Sequence, residues 1–98
     1  MAKPIRTVTK VIARSGHEDA LKALLIEVVE LARENPGCLR FELLQGNANP
    51  GEFVTVGDWH DDAAFQAHYR SGYMDEFMRE IPDLADHSPD IQWYTLVL

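Results

Sequence analysis

Glu52-Phe53-Val54-Thr55-Val56-Gly57-Asp58-Trp59-His60-Asp61-Asp62-Ala63-Ala64-Phe65-Gln66-Ala67-His68-Tyr69-Arg70-Ser71-Gly72-Tyr73-Met74 is the stretch that decides how this chain is read. From Phe53 to His60 it alternates with the two-residue period of a strand: Phe53, Thr55, Gly57 and Trp59 on one side, Val54, Val56 and Asp58 on the other. Asp61 is a good helix N-cap, and Asp62 sits favourably against the helix dipole. Helical spacing then puts Phe65, His68 and Tyr69 on one face, before Ser71-Gly72 interrupts and Tyr73 follows. An indole, an imidazole and a phenol therefore belong to one strand–helix unit. They either line a cavity or fill a core.

Working outward, Cys38 to Gln45 reads as a strand with Leu39, Phe41 and Leu43 on one face and Arg40, Glu42 and Leu44 on the other. The run Gly46-Asn47-Ala48-Asn49-Pro50-Gly51 is a turn by composition, so this strand and the next form a hairpin. Before it, a helix runs to about Glu34 with a stripe of Ala20, Leu21, Leu24, Leu25, Val28, Leu31 and Ala32. Ser15-Gly16-His17-Glu18 reads as its capping box, and Asn35-Pro36-Gly37 stops it. Ile5 to Ala13 alternates as a first strand, and Ile91 to Leu98 as a last one. After Gly72 a short amphipathic segment turns Met74, Phe77, Met78 and Ile81 inward, and Pro82 is expected to disrupt it. The order is β-α-β-β-α-β. Its simplest packing is a four-stranded antiparallel sheet with the helices on one face, the ferredoxin-like α+β arrangement, as a single domain over 1–98.

Two helices cover only one face of such a sheet, yet both faces of the strands carry apolar residues: Phe53 and Trp59 opposite Val54 and Val56, and Ile91, Trp93 and Val97 opposite Tyr94, Leu96 and Leu98. A patch of that kind calls for a partner, and a second copy about a two-fold axis is the simplest one. A homodimer is expected. With 98 residues, 46% of them hydrophobic and 26% charged, the chain is an ordinary globular domain and not a disordered one. A net charge of -7 without a basic cluster argues against nucleic acid and against anionic membrane surfaces. The stretch from Met1 to Arg6 lacks the apolar centre of a signal peptide, and Cys38 is alone, so a reducing, cytoplasmic setting is expected.

Within the central stretch, Gly57 either leaves a ligand notch beside Trp59 or marks a bulge or bend. His68 beside an apolar wall tends toward the neutral form and suits a general base, or it simply caps the buried stripe. Tyr73 can point its phenol at the same space, and Tyr69 can do so or pack. Asp58 and His60 share a face but find no third ligand at a recognisable spacing, so no metal is expected.

Two segments are similar to a known family. Arg33-Glu34-Asn35-Pro36-Gly37-Cys38-Leu39-Arg40-Phe41-Glu42 resembles the R-x-E-P-G-C-L-x-Y-x segment of the antibiotic biosynthesis monooxygenase (ABM) domain family. Asp58-Trp59, followed by Asp61-x-x-Ala64-Phe65-x-x-His68, resembles its acidic, Trp, acidic-x-x-Ala-hydrophobic-x-x-His pattern. The resemblance implies a dimeric α+β barrel. It implies a monooxygenase using neither metal nor flavin, acting on an aromatic or quinol-type small molecule whose anion gives an electron directly to O2. Carried onto this chain, it implies Trp59 as pocket wall, His68 as base or hydrogen-bond partner, Tyr73 as a substrate contact, and Phe53, Thr55, Gly57, Phe65 and Tyr69 as the surrounding surface. Where many relatives carry Glu two residues before the Trp, this chain has Gly57, and Tyr73 lies where many have a second histidine. Haem degradation is not expected, because the first strand holds no Asn. An isomerase or cyclase working without O2, or a dimeric binding protein for a hydrophobic metabolite, would use the same pocket.

Overall fold

The computed structural model describes residues 3–98; Met1 and Ala2, at the start of the stretch read for a leader, lie outside it. Four strands, β1 (Ile5–Ile12), β2 (Cys38–Gln45), β3 (Glu52–Trp59) and β4 (Asp90–Thr95), form one antiparallel sheet in the order β2-β3-β1-β4. Helices α1 (Glu18–Arg33), α2 (Asp62–Tyr69) and α3 (Gly72–Leu84) supply the layer against it. This is the expected ferredoxin-like α+β fold. None of these helices is long and apolar enough to cross a membrane.

The alternation read in β3 is realised residue by residue: Phe53, Thr55, Gly57 and Trp59 are buried, while Glu52, Val54, Val56 and Asp58 are half-buried on the other side. Register places Thr7 and Phe41 on either side of Gly57. One core cluster gathers Val11, Leu21, Leu25, Phe53, Phe77 and Ile81; a second gathers Ile5, Val29, Ala32, Phe41, Trp59 and Phe65. At ~1.5–3 kcal/mol per fully buried large apolar side chain, these two clusters are what the fold rests on.

Five local expectations need correction. The Ser15 hydroxyl caps nothing: His17 is the N-cap residue of α1, without a side-chain cap bond. Only the second half of the motif forms, with the Glu18 carboxylate accepting from Gly16 N at 2.9 Å. The buried face of α1 centres on Leu21, Leu25, Val28, Val29 and Ala32, so Val29 joins it while Ala20 is exposed. Pro82 does not end α3, which continues to Leu84. Pro82 falls in the last turn, where it removes one N–H, and the end is held by other bonds: Ala85 N to Ile81 O and Arg14 N to Leu84 O, both 2.8 Å. Leu39 does not share the Phe41 face, because a register shift between Cys38 and Arg40 turns it outward. It is exposed on the sheet face opposite the helices. The last strand also stops at Thr95, three residues short of Leu98.

The open face carries ion pairs as well as apolar groups. Asp58 accepts from Arg6 Nε at 2.7 Å and meets Arg40 at 3.0 Å, and Lys10 meets Glu52 at 3.1 Å. The bond from Arg6, more than its charge or that of Arg40, holds the Asp58 carboxyl below the usual range. At one end of the face Leu39, Tyr94 and Leu96 flank a groove of about 680 Å3 with Arg6, Arg40 and Asp58.

Candidate functional site

The end of α2 and the start of α3 build the site. Asp61 caps α2 by accepting from Ala64 N at 2.9 Å, as its side-chain type predicts. Ser71 then serves both helices: its hydroxyl donates to His68 O at 2.7 Å and accepts from Met74 N at 3.3 Å. The break between the helices is therefore a built corner. It lets His68, in the last turn of α2, and Tyr73, in the first turn of α3, face each other.

His68 is 5% exposed. Its imidazole stacks on the Trp59 indole, centroids 4.4 Å apart and planes 28° apart, and tilts against Phe41 at 5.5 Å. Nδ1 lies 2.5 Å from Tyr73 Oη, and that oxygen accepts from Asn35 Nδ2 at 2.9 Å. Burial pulls His68 down to about 4 from the ordinary 6.5, so the ring is uncharged at neutral pH. Burial also raises the Tyr73 phenol, against opposing bonds from Ser71 and Asn35, so it too is neutral. Among the described residues no fully buried side-chain nitrogen or oxygen lacks a partner. Nδ1 is taken and Nε2 has no protein partner among these residues, so Nε2 is not fully sealed, and His68 is one of the residues that border the hollow.

That hollow lies between sheet and helices, under His68, Phe65, Tyr69, Phe41, Thr7 and Thr55, and is closed by side chains of α1 and α3 such as Leu25 and Phe77. Its free space of about 20 Å3 is room for a single water. Tyr69 is 46% exposed, so its side chain stands between the hollow and solvent. Phe65 stacks on Trp93 at 5.8 Å, an indole of the edge strand that is itself 57% exposed.

Of the residues singled out in the sequence, His68, Thr55, Phe65 and Tyr69 border this space. Trp59 does not; it is fully buried behind the imidazole, with Nε1 donating to Thr7 Oγ1 at 3.4 Å. Tyr73 reaches the site only through His68 Nδ1. Phe53 is in the other core cluster. Gly57 offers no notch, because a Cβ there would stand 2.6 Å from Phe41 Cδ2 and 2.9 Å from Thr7 Oγ1: the Phe41 ring already occupies the gap. Asp58 is committed to its two arginines, and His60 Nδ1 lies 3.2 Å from Asp61 Oδ2. Asn35, Phe41 and Trp93 were missed. Asn35 read as a helix stop beside Pro36, and the alternation of β2 marks Phe41 as inward without saying what it meets.

An antiparallel sheet backed on one side by helices, with a neutral imidazole over a small, mostly apolar hollow, defines a ferredoxin-like α+β domain with a candidate small-molecule site. Residues 4–80 match the antibiotic biosynthesis monooxygenase family, and the chain belongs to it. The crystal structure of PA3566 from Pseudomonas aeruginosa is 26% identical, with a TM-score of 0.90 over 100% of this chain and 98% of that one. A solved protein described as an antibiotic biosynthesis monooxygenase has the same fold, at 22% identity and a TM-score of 0.86 over 96% of this chain and 99% of that one. The uncharacterized protein sll1783 of Synechocystis is 24% identical over 93 residues, which are 95% of this chain. The chain spans 63% of that relative's length.

Proposed function

We propose that this protein is a monooxygenase that oxidises an aromatic, quinol-type molecule with O2 in the hollow under His68, without metal or flavin. The observation that carries the reading is a buried, uncharged imidazole with one free nitrogen on an otherwise mostly apolar hollow. Such a group can meet a phenolic oxygen as base or as hydrogen-bond partner, in surroundings that exclude water. A suitable substrate is a phenol whose keto tautomer carries a ring CH2. Loss of the phenolic proton gives an anion that passes one electron to O2. The two radicals join at the ring carbon, the peroxide takes up a proton, and loss of water leaves C=O. The substrate supplies all four electrons, so the protein contributes position, dryness and a polar contact.

A ring does not fit the hollow as it stands, so substrate enters as the Tyr69 side chain swings outward. The same reading makes the protein a homodimer through the open sheet face, where exposed Leu39, Tyr94 and Leu96 lie beside charges that remain solvated at a rim. Oxygen uptake with hydroquinones and anthrone-type phenols in metal-free buffer tests the activity. His68→Ala should lower the rate by at least ~10², the lower end for either a proton-transfer group or a positioned hydrogen-bond donor. Equal uptake by both proteins removes His68 from the chemistry. Turnover that proceeds unchanged under argon replaces the oxygenase with an isomerase or cyclase.

A further inference from the structure

We propose that Asn35, acting through Tyr73, holds His68 in the tautomer that presents an N–H to the hollow, so that the site receives an oxygen acceptor: a phenolate or a ring carbonyl. The argument follows hydrogens along a chain of three side chains. Asn35 Nδ2 lies 3.2 Å from Ala32 O and 2.9 Å from Tyr73 Oη. A backbone carbonyl only accepts, so the amide atom between these two oxygens is the NH2, and it donates to both. The phenol oxygen thus receives a hydrogen from Asn35. Its own hydrogen has His68 Nδ1 as its near acceptor, at 2.5 Å; the Ser71 hydroxyl, also beside the phenol, already donates to His68 O and accepts from Met74 N. Nδ1 then offers a lone pair, and the single proton of the neutral imidazole sits on Nε2. The opposite tautomer would aim the Asn35 and His68 hydrogens at one phenol oxygen and leave the phenol hydrogen only the Ser71 hydroxyl, which already donates to His68 O and accepts from Met74 N.

The stacked Trp59 and the tilted Phe41 hold the ring plane, and neither competes for its nitrogens. An Nε2–H cannot take a proton while the chain is intact. His68 therefore acts by donating to an oxygen that already bears negative charge or a carbonyl dipole. Asn35 and Tyr73 are positioning residues, since neither borders the hollow. The choice of ligand rests on the oxygenase reading above; the tautomer does not.

Long-range ¹H–¹⁵N correlation of His68 in the ¹⁵N-labelled protein at neutral pH reads the tautomer directly. The wild type should show a protonated Nε2 and a lone-pair Nδ1. Asn35→Asp keeps the shape but replaces the donor by an acceptor, so the Tyr73 hydrogen turns toward it and His68 switches to Nδ1–H. Tyr73→Phe, which removes the relay while keeping the ring, should leave both tautomers populated. A wild type with Nδ1–H, or a tautomer unmoved in both folded variants, overturns the proposal. Ligand choice is read by titrating 4-nitrophenol in its ionised form against 4-nitroanisole. The wild type should prefer the phenolate by tenfold or more, and Asn35→Asp should lose that preference. Equal affinity of the wild type for the two probes overturns the ligand assignment. Absent quinol oxidation alongside the expected spectra and binding preference would remove the oxygenase reading alone.

Discussion

Lowering the pH from about 7 to about 5 should destabilise this protein through His68 alone, and the size follows from its burial. The imidazole titrates near 6.5 when unfolded and about 4 when folded, because burial disfavours the cation. The unfolded chain therefore binds the proton first. The contribution of His68 is whole above about pH 6.5, falls as pH drops toward 4, and is flat below that. The whole difference is worth about 3 kcal/mol at 1.36 kcal/mol per pH unit, and about 2 kcal/mol of it is lost between about pH 7 and pH 5. For a domain of this size that lowers Tm by about 8–16 °C. Asp58 and Asp61 are held below the usual carboxylate range, so their contributions fade only at lower pH.

The stacked indole works against this, since a cation over an aromatic face gains ~0.5–2 kcal/mol. Urea unfolding of wild type and His68→Gln across the window separates the two effects. Glutamine keeps a polar group near Tyr73 and cannot take a charge, and groups that titrate in both proteins cancel in the difference. The wild type should lose stability on acidification relative to the variant. Parallel profiles within about 0.5 kcal/mol would show that stacking on Trp59 offsets burial, and the neutral-imidazole argument would fail with them.

Gly57→Ala should cost ~1–3 kcal/mol in chemical denaturation, because its Cβ meets the Phe41 ring at 2.6 Å, while Gly72→Ala, with nothing within 4 Å at the first residue of α3, should gain ~0.4–1 kcal/mol. Opposite signs would overturn the packing described here. Gly37→Ala sets a Cβ 2.3 Å from Ala64 Cβ, so Ala64→Gly should restore much of what it loses, with a coupling of ~0.5–3 kcal/mol in a double-mutant cycle; strict additivity would separate the two positions. Sedimentation should find the wild type at twice the chain mass, and Leu96→Asp, on the open face, should shift it toward the single chain; a monomeric wild type removes the sheet-to-sheet dimer.

The strands and helices were legible where one local rule governs. Alternation placed β3, and the side-chain types of Asp61 and Ser71 placed the start of α2 and the corner after it. The readings that failed did so where a neighbour outvoted the local rule. Pro82 stays helical where Arg14 N bonds Leu84 O and ties down the last turn, and Leu39 turns outward because β2 shifts register against β3. Neither partner is near in sequence. The notch at Gly57 failed for the same reason: one strand shows that a side chain is missing, and only the register of the next strand shows that Phe41 fills the space.

The site was legible to the same degree. His68 could be found from the stripe of its own helix, but its relay could not, since Asn35 and Tyr73 are 38 residues apart and meet only when α1 and α3 pack together. The residues that carry the family resemblance turn out to be largely structural. Gly37 O accepts from His60 N at 2.8 Å, the missing Gly37 side chain makes room for Ala64, and Asp61 caps the same turn. Pro36-Gly37-Cys38 and Asp61-x-x-Ala64 are thus two halves of one joint that seats α2 on the sheet and so aims His68. Such a joint would be shared by any protein needing an imidazole in that place, whatever its reaction. Family membership therefore speaks for the scaffold, and the chemistry has to be read from which nitrogen of His68 carries the proton.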